Sequence, residues 1–242
     1  MKIEIWSDYV CPFCYIGEHR LAKALDDFPN KDNVKIEFKC YELDPNAKHM
    51  PDGDYYSMLA NKLGITSEQA KQSSENLAEQ AAELGLDYRF DKMKPTNTFD
   101  AHRLAKYAEK IGKGKEMVEA LFYAYFTEGK LISDHDELTE LAETVGMEKE
   151  DAVSVLACNE KGRRVREDEE QAREIGVQGV PFFVFNEKYA VSGAQPPEVF
   201  KQVLEKVEEE EQAKPHLQTL TPDGSETTYC TDEGCEIKRD QS

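Results

Sequence analysis

The feature that most restricts this chain is a pair of cysteines at the point where one hydrophobic period gives way to another. Residues 2 to 9 alternate, with Ile3 and Ile5 to one side and Glu4 and Trp6 to the other, which is the period of a short strand. After Cys14, residues Ile16, Leu21, Ala22, Leu25 and Phe28 recur at helical spacing up to Pro29. Cys11-Pro12-Phe13-Cys14 therefore stands where a strand hands over to a helix. Only a thiolate attacks a disulfide, and an ordinary cysteine is mostly protonated at neutral pH. At a helix start, unpaired backbone N–H groups and the positive end of the helix dipole surround the first cysteine, and its pKa falls to ~3.5–7.5 in such motifs. The second cysteine, one turn on, can resolve a mixed disulfide. Pro12 suits the first helical turn, where its missing N–H costs nothing. This placement predicts Cys11 as the attacking thiol and Cys14 as the resolving one. Half a zinc site, or two ordinary cysteines, are the alternatives for the same spacing.

Val34, Ile36, Phe38 and Cys40 alternate with Lys35, Glu37, Lys39 and Tyr41 as a second strand, so the first 45 residues read strand–helix–strand. From about residue 53 to 176 the signal is helical. Gly64, Gly85, Gly112, Gly129, Gly146 and Gly176 each close an amphipathic stretch, as helix C-terminal caps do. Thr66 with Gln69 fits a capping box, and Ser133 with Asp136 resembles one. Met117, Val118, Leu121, Phe122, Tyr125 and Phe126 form a wide apolar stripe. Strand signal returns at 180–185 and again around Lys188 to Ser192, across a turn at Asn186-Glu187. Val199, Phe200, Val203, Leu204 and Val207 then mark a helix behind Pro196-Pro197. The expected architecture is α/β, in the order βαβ, helical insert, ββα. Residues 1–45 and 177–212 form the α/β part, 46–176 an all-helical insertion, and 213–242 an aperiodic, flexible tail.

Four segments carry a family resemblance: Ser7-Asp8-Tyr9-Val10-Cys11-Pro12-Phe13-Cys14-Tyr15-Ile16-Gly17, then Asn97 to Leu104, then Gly176-Val177-Gln178-Gly179-Val180-Pro181-Phe182-Phe183, then Ser192-Gly193-Ala194-Gln195. Together they resemble the FrnE-type branch of the DsbA family, over residues 1 to about 210. The resemblance implies a thioredoxin-like fold split by the helical insertion, and a thiol–disulfide oxidoreductase or isomerase with no dissociable cofactor beyond its own redox-active disulfide. Its implied partners are protein thiols and disulfides and a recycling reductant or oxidant. It further implies that Pro181 is cis and faces the cysteine pair, so that an extended substrate segment pairs with the Val180 backbone beside Cys11, next to Pro12 and Phe13. Without the resemblance, Pro181 is a strand-opening proline. The insertion is expected to shape a groove beside Cys11. Kappa-type glutathione transferases and hydroxychromene-carboxylate isomerases resemble the chain in architecture, but they typically carry serine at the position of Cys11 and depend on glutathione. The presence of both cysteines counts against them.

A second pair, Cys230-Thr-Asp-Glu-Gly-Cys235, lies in the tail. It could relay electrons to Cys11-Cys14, oxidise incidentally, or bind a soft metal. Four cysteines around one zinc would instead make the chain a redox-sensing interaction protein. Cys40 shares the inward row of its strand, and Cys158 ends an apolar stretch with Val155 and Leu156. Both read as small apolar core residues. Trp6 reads as a core or groove aromatic. His19, on the helix after Cys14, could tune the thiolate or sit on the surface. His102 could face the cleft or pack helices, while His49, His135 and His216 show no ligand spacing.

Eleven Phe and eleven Tyr argue against uniform disorder. A net charge of −19, from 49 acidic and 30 basic residues, argues against nucleic acid and anionic membranes as partners. Arg163, Arg164 and Arg166 are diluted by Glu167 to Glu170. No apolar run approaches the roughly 20 residues that span a bilayer, and the charged, alternating start differs from a signal peptide. A cytoplasmic protein is expected, and in a reducing compartment close cysteine pairs are catalytic or metal-binding more often than structural.

Overall fold

Strand β1 (Lys2–Ser7) buries Ile3 and Ile5 on one face and Glu4 and Trp6 on the other. Both faces are covered because β1 is an inner strand of a four-stranded sheet ordered β2-β1-β3-β4. The computed structural model describes residues 1–49, 53–158, 162–213, 227–231 and 234–238. β1 runs parallel to β2 (Lys35–Cys40), with Ser7 opposite Cys40, and antiparallel to β3 (Phe182–Phe185). β3 turns through Asn186 and Glu187, at φ +48° and +56°, into β4 (Tyr189–Ser192). Two positive φ values at the tip match the twist of a tight hairpin.

Helix α1 (Pro12–Asp26) begins with Pro12 in its first turn and Cys11 in extended conformation before it. Its Leu21 and Ala24 pack with Ile3, Ile5, Phe183, Phe200 and Leu204. The last two come from α9 (Pro197–Gln212), which closes this core from the far end of the sequence. The expected βαβ and ββα pieces thus meet in one core. This is the split arrangement that the family resemblance implies.

The helices α2 (Tyr55–Leu63), α3 (Ser67–Ala82), α4 (Phe99–Lys110), α5 (Gly114–Tyr123), α6 (His135–Thr144), α7 (Lys149–Ala157) and α8 (Arg163–Glu174) fall between β2 and β3. The apolar stripe from Met117 to Phe126 is buried in a second core. There Tyr15 of α1 stacks on Phe122, with ring centroids 4.8 Å apart. The Thr66–Gln69 capping box forms as expected. Ser133, however, does not cap α6. Asp134 does, because its carboxylate accepts from the N–H groups of Asp136 and Glu137 at 2.9 and 3.1 Å. The Ser133 hydroxyl turns inward and donates to the carbonyl of His49 at 2.6 Å. Among the described residues no helix is long and apolar enough to cross a membrane.

α4 and α8 are tied to the edge of β2 by charge. Lys106 Nζ donates to the Phe38 carbonyl at 2.9 Å, and Asp168 accepts from the Cys40 N–H at 3.1 Å. Trp6 Nε1 donates to the Asp168 carbonyl at 2.9 Å. Lys39 links Glu37, Glu4 and Asp168 at 2.6, 3.3 and 3.5 Å. Burial pulls the Glu37 carboxyl up, but Lys39 and Lys2 outweigh it and hold it at about 2.

Residues 1–208 form one compact unit and 209–242 a second. In the second, β5 (Thr227–Thr231) pairs antiparallel with β6 (Gly234–Lys238), and the register sets Cys230 opposite Cys235. The aperiodic reading of this stretch did not anticipate a hairpin. Its local signal is the β-prone Thr227-Thr228-Tyr229 run.

Two features fix the orientation of α1. A Cβ on Gly17 would lie 3.0 Å from Pro181 Cγ, 3.1 Å from Phe183 Cζ and 3.4 Å from Ala194 Cα, so only glycine lets the helix approach this loop. Gly17→Val is expected to cost about 1–3 kcal/mol in urea unfolding, the usual price of overpacking. An unchanged midpoint would contradict this contact. On the side facing α5, Tyr15 Oη donates to Glu119 at 2.5 Å, and His19 lies 3.4 Å from the same carboxylate. Burial and the Glu119 charge push the Glu18 carboxyl up to about 8, against the pull of Lys115. The folded protein therefore holds a proton on Glu18 that the unfolded chain has released, so Glu18 makes stability decline as pH rises from about 4.5 to about 8. Glu18 is partly exposed, and solvent screening trims the effect. Glu18→Gln should gain melting temperature over wild type as pH is raised through that window and lose the advantage near pH 4. A gap independent of pH would refute the assignment.

Candidate active site

The turn between β1 and α1 is held by Asp8. Its carbonyl accepts from the Cys11 N–H at 3.0 Å, and its Oδ2 accepts from the Leu43 N–H at 2.7 Å. This pins Cys11 at the start of α1, where the Cys14 N–H closes the first turn on the Cys11 carbonyl at 3.0 Å. Cys11 is only 5% exposed, and its thiol faces the Val180 carbonyl at 3.6 Å. The Val180–Pro181 peptide is cis, and the Pro181 carbonyl accepts from the Gly193 N–H at 2.8 Å. Cys11, Cys14 and the loop before β3 are therefore brought together across a sequence separation of 169 residues.

Cys14 is buried beneath Cys11. Burial pushes its thiol well above the ordinary cysteine range, and the hydrogen bond that the Cys14 S–H donates to the Cys11 sulfur pushes the same way. The Ser7 hydroxyl and the Asp8 backbone act in the opposite sense, since both donate to the sulfur once it is a thiolate. At neutral pH this sulfur is a thiol. Cys11, Cys14, Cys40 and Cys158 are all free.

The other expected residues divide. The Pro12 carbonyl accepts from Tyr88 Oη at 2.7 Å, while the Phe13 ring is 50% exposed beside the pair. His19 engages Glu119, not a cysteine. His102 is buried, with Nε2 3.4 Å from Asp8 Oδ1 and its ring 4.7 Å from that of Tyr9, so it stands behind the active-site turn. Its neighbours in the Asn97–Leu104 segment hold helices together. Arg103 donates to the carbonyls of Val155, Leu156 and Cys158 at the end of α7, and Asp100 bridges Arg103 and His135. Cys40 is a buried core residue, as its strand position predicts. Cys158 is half-buried and sits at the α7 terminus, because the helix ends before its side chain reaches the core. Trp6 is fully buried in the core. His216 lies outside the described residues. The Cys230 and Cys235 backbones belong to the β5–β6 hairpin.

Several residues at the site gave no sequence signal of their own. Tyr55 of α2 and Tyr88 share an apolar cluster with Cys11, and both hydroxyls are pushed up by burial and then by the Cys11 charge. The insertion thus covers Cys11 with aromatic rings. A cavity of about 1080 Å³ lies elsewhere, along β2, α1, α4 and α8, and its lining includes neither cysteine of the pair nor Pro181. Ser7, Asp8 and Gly17 flank the motif, but only the folded turn gives each a task.

A family model for the DSBA-like thioredoxin domain matches residues 2–205. A probable DsbA oxidoreductase from Streptomyces coelicolor has a TM-score of 0.85 and 36% identity, over 98% of this chain and 99% of that one. An uncharacterised protein of Bacillus subtilis strain 168, YwbO, is 29% identical over 212 residues, covering 84% of this chain and 96% of the relative. The cytosolic disulfide reductase DsbM from Pseudomonas aeruginosa, crystallised with GSH, is similar in fold, with a TM-score of 0.62 and 16% identity over 85% of this chain and 98% of that one. The matched span contains the cysteine pair, the inserted helices and the cis-proline strand, and the chain belongs to the DSBA-like thioredoxin domain family.

Proposed function

We propose that the protein exchanges disulfides with protein thiols through Cys11 and Cys14. The observation that carries this reading is the juxtaposition at the start of α1: a first thiol against the Val180 carbonyl, and a second, protonated thiol directly beneath it. The Cys11 thiolate attacks one sulfur of a substrate disulfide and displaces the other sulfur as a thiolate. Cys14 then loses its proton and attacks Cys11 Sγ, which releases the reduced substrate and leaves a Cys11–Cys14 disulfide. In the reverse direction the same disulfide oxidises a substrate dithiol. An extended substrate segment laid along the Val180 backbone would present its sulfur to Cys11, with Pro12 and the exposed Phe13 ring flanking it. Tyr55 and Tyr88 restrict approach to that edge.

Cys230 and Cys235 enter this reading as a second dithiol. Directly opposed residues of an antiparallel pair have Cα atoms about 4.5–5.5 Å apart, inside the ~4.4–6.8 Å that a disulfide bridges. The register of the hairpin therefore supports a disulfide-forming pair, and in this reading that pair exchanges with Cys11–Cys14.

Insulin reduction driven by dithiothreitol tests both parts. Cys11→Ser is expected to fall to the rate of dithiothreitol alone, and Cys14→Ser to accumulate a mixed disulfide on Cys11. The double Cys230→Ser/Cys235→Ser variant should keep the exchange at Cys11, while in the wild type transfer to the tail is read by mass spectrometry as a Cys230–Cys235 disulfide formed at the expense of Cys11–Cys14. Full activity in Cys11→Ser would exclude the reading. A glutathione-dependent isomerase would also separate here, since it needs no cysteine at that position.

A further inference from the structure

The exchange mechanism makes one further demand: Cys14 is buried and protonated, yet it must lose its proton to attack. The polar groups beneath it form a connected set. The Ser7 hydroxyl hydrogen-bonds the Cys14 sulfur, and Ser7 ends β1 opposite Cys40. A cavity of about 20 Å³, the room one water needs, is lined by Ser7, Tyr9, Cys40 and His102 among others. His102, on that lining, pairs with buried Asp8, with Nε2 and Oδ1 3.4 Å apart and neither atom satisfied by a hydrogen bond. A buried histidine beside a carboxylate costs stability when neither facing atom is hydrogen-bonded, so a hydrophobic residue would serve packing better here. The His102–Asp8 pair touches no substrate-facing surface, so it cannot act on a substrate directly.

We propose that the Ser7 hydroxyl and the buried His102–Asp8 pair form the proton path for Cys14 when it resolves the mixed disulfide. Ser7 touches the reacting sulfur and is a catalytic residue in this scheme; His102 and Asp8 act through it as positioning residues. The inference rests on the exchange reading above. With substrate attached to Cys11, the Cys14 proton passes to Ser7 Oγ while the Ser7 proton passes through the cavity to His102, whose positive charge Asp8 balances. The Cys14 thiolate forms a bond to Cys11 Sγ, and the bond from Cys11 to substrate sulfur breaks. The electron pair leaves with the substrate thiolate, which takes its proton from solvent. Reduction of the Cys11–Cys14 disulfide returns the stored proton. The substrate disulfide is the only oxidant needed.

Other charges face the same pocket and shape its pH response. Lys39 and Cys40 approach from β2, and Lys106 and Glu109 from α4. Glu42 lies behind His102 and is paired with Arg166 of α8. Tyr9 separates the pair from α1 and α5.

The test mixes reduced full-length protein with oxidised glutathione, quenches in acid at intervals, and follows the Cys11–glutathione adduct by mass spectrometry from pH 5.5 to 9. Ser7→Ala and His102→Gln should form the adduct at the wild-type rate and resolve it about a hundredfold or more slowly at pH 7, the scale that general acid–base catalysis contributes. The deficit should shrink towards pH 9, where solvent base substitutes. Ser7→Thr, which keeps a hydroxyl, should restore resolution. If His102→Gln does not fold, the Ser7 pair decides alone. Equal slowing of both steps, a deficit constant with pH, or unchanged resolution in Ser7→Ala would each overturn the proton path. If wild type forms no adduct on Cys11 at all, the exchange reading itself falls, and this path with it.

Discussion

The outer edge of β2 must find partners for backbone groups that no further strand supplies, and the structure depends on how it does so. An open strand edge invites pairing with other chains, and one way to blunt it is to cover it with charged side chains and helices. Here Lys106 from α4 takes the Phe38 carbonyl, and Asp168 from α8 takes the Cys40 N–H. Each of these long-range bonds binds an inserted helix to the sheet that the insertion interrupts. The charges are buried, so each needs a partner of opposite sign. Lys39, Glu37 and Glu4 provide the rest of the lattice. Removing one member would leave another buried and unpaired, a heavier loss than the bond itself.

That anchoring explains how so divided a chain builds one site. Cys11 comes from the first strand–helix junction, Val180 from the start of the returning strands, and Tyr55 and Tyr88 from the insertion between them. In the proposed exchange the attacking sulfur is Cys11, at the start of α1, and the sulfur that follows is Cys14, one helical turn on, its proton held by burial.

Much of this was legible in the residues. Strand period changed to helical period around Cys11 and Cys14, and the alternation at Val34–Cys40 marked β2, because local patterning survives whatever the tertiary context. The capping box at Thr66 formed because it closes within four residues. Ser133 failed as a cap because Asp134 offered a stronger acceptor one residue on, while the serine found better partners inside. What the sequence could not show are contacts made between distant segments. Gly17 looks like an unfavourable helix residue until Pro181 and Phe183 are seen against it. No pattern in the sequence marks Glu4 and Asp168 as buried; they are buried because both faces of β1 are covered. His102 read as equally suited to cleft or packing, and its place behind Asp8 appears only once α4 is docked. The tail hairpin lacked apolar alternation, and its strands became visible only as paired backbone.

Trp6 has a consequence of a different kind. It is the single tryptophan of the chain, fully buried, with its indole N–H satisfied by a carbonyl of α8. With excitation at the red edge, where tyrosine does not absorb, the emission of the folded protein therefore comes from one chromophore in one environment, stationed where the sheet meets the last inserted helix. Its colour and polarisation follow the docking of α8 on β1, so the joint between the two parts of the fold carries its own optical label.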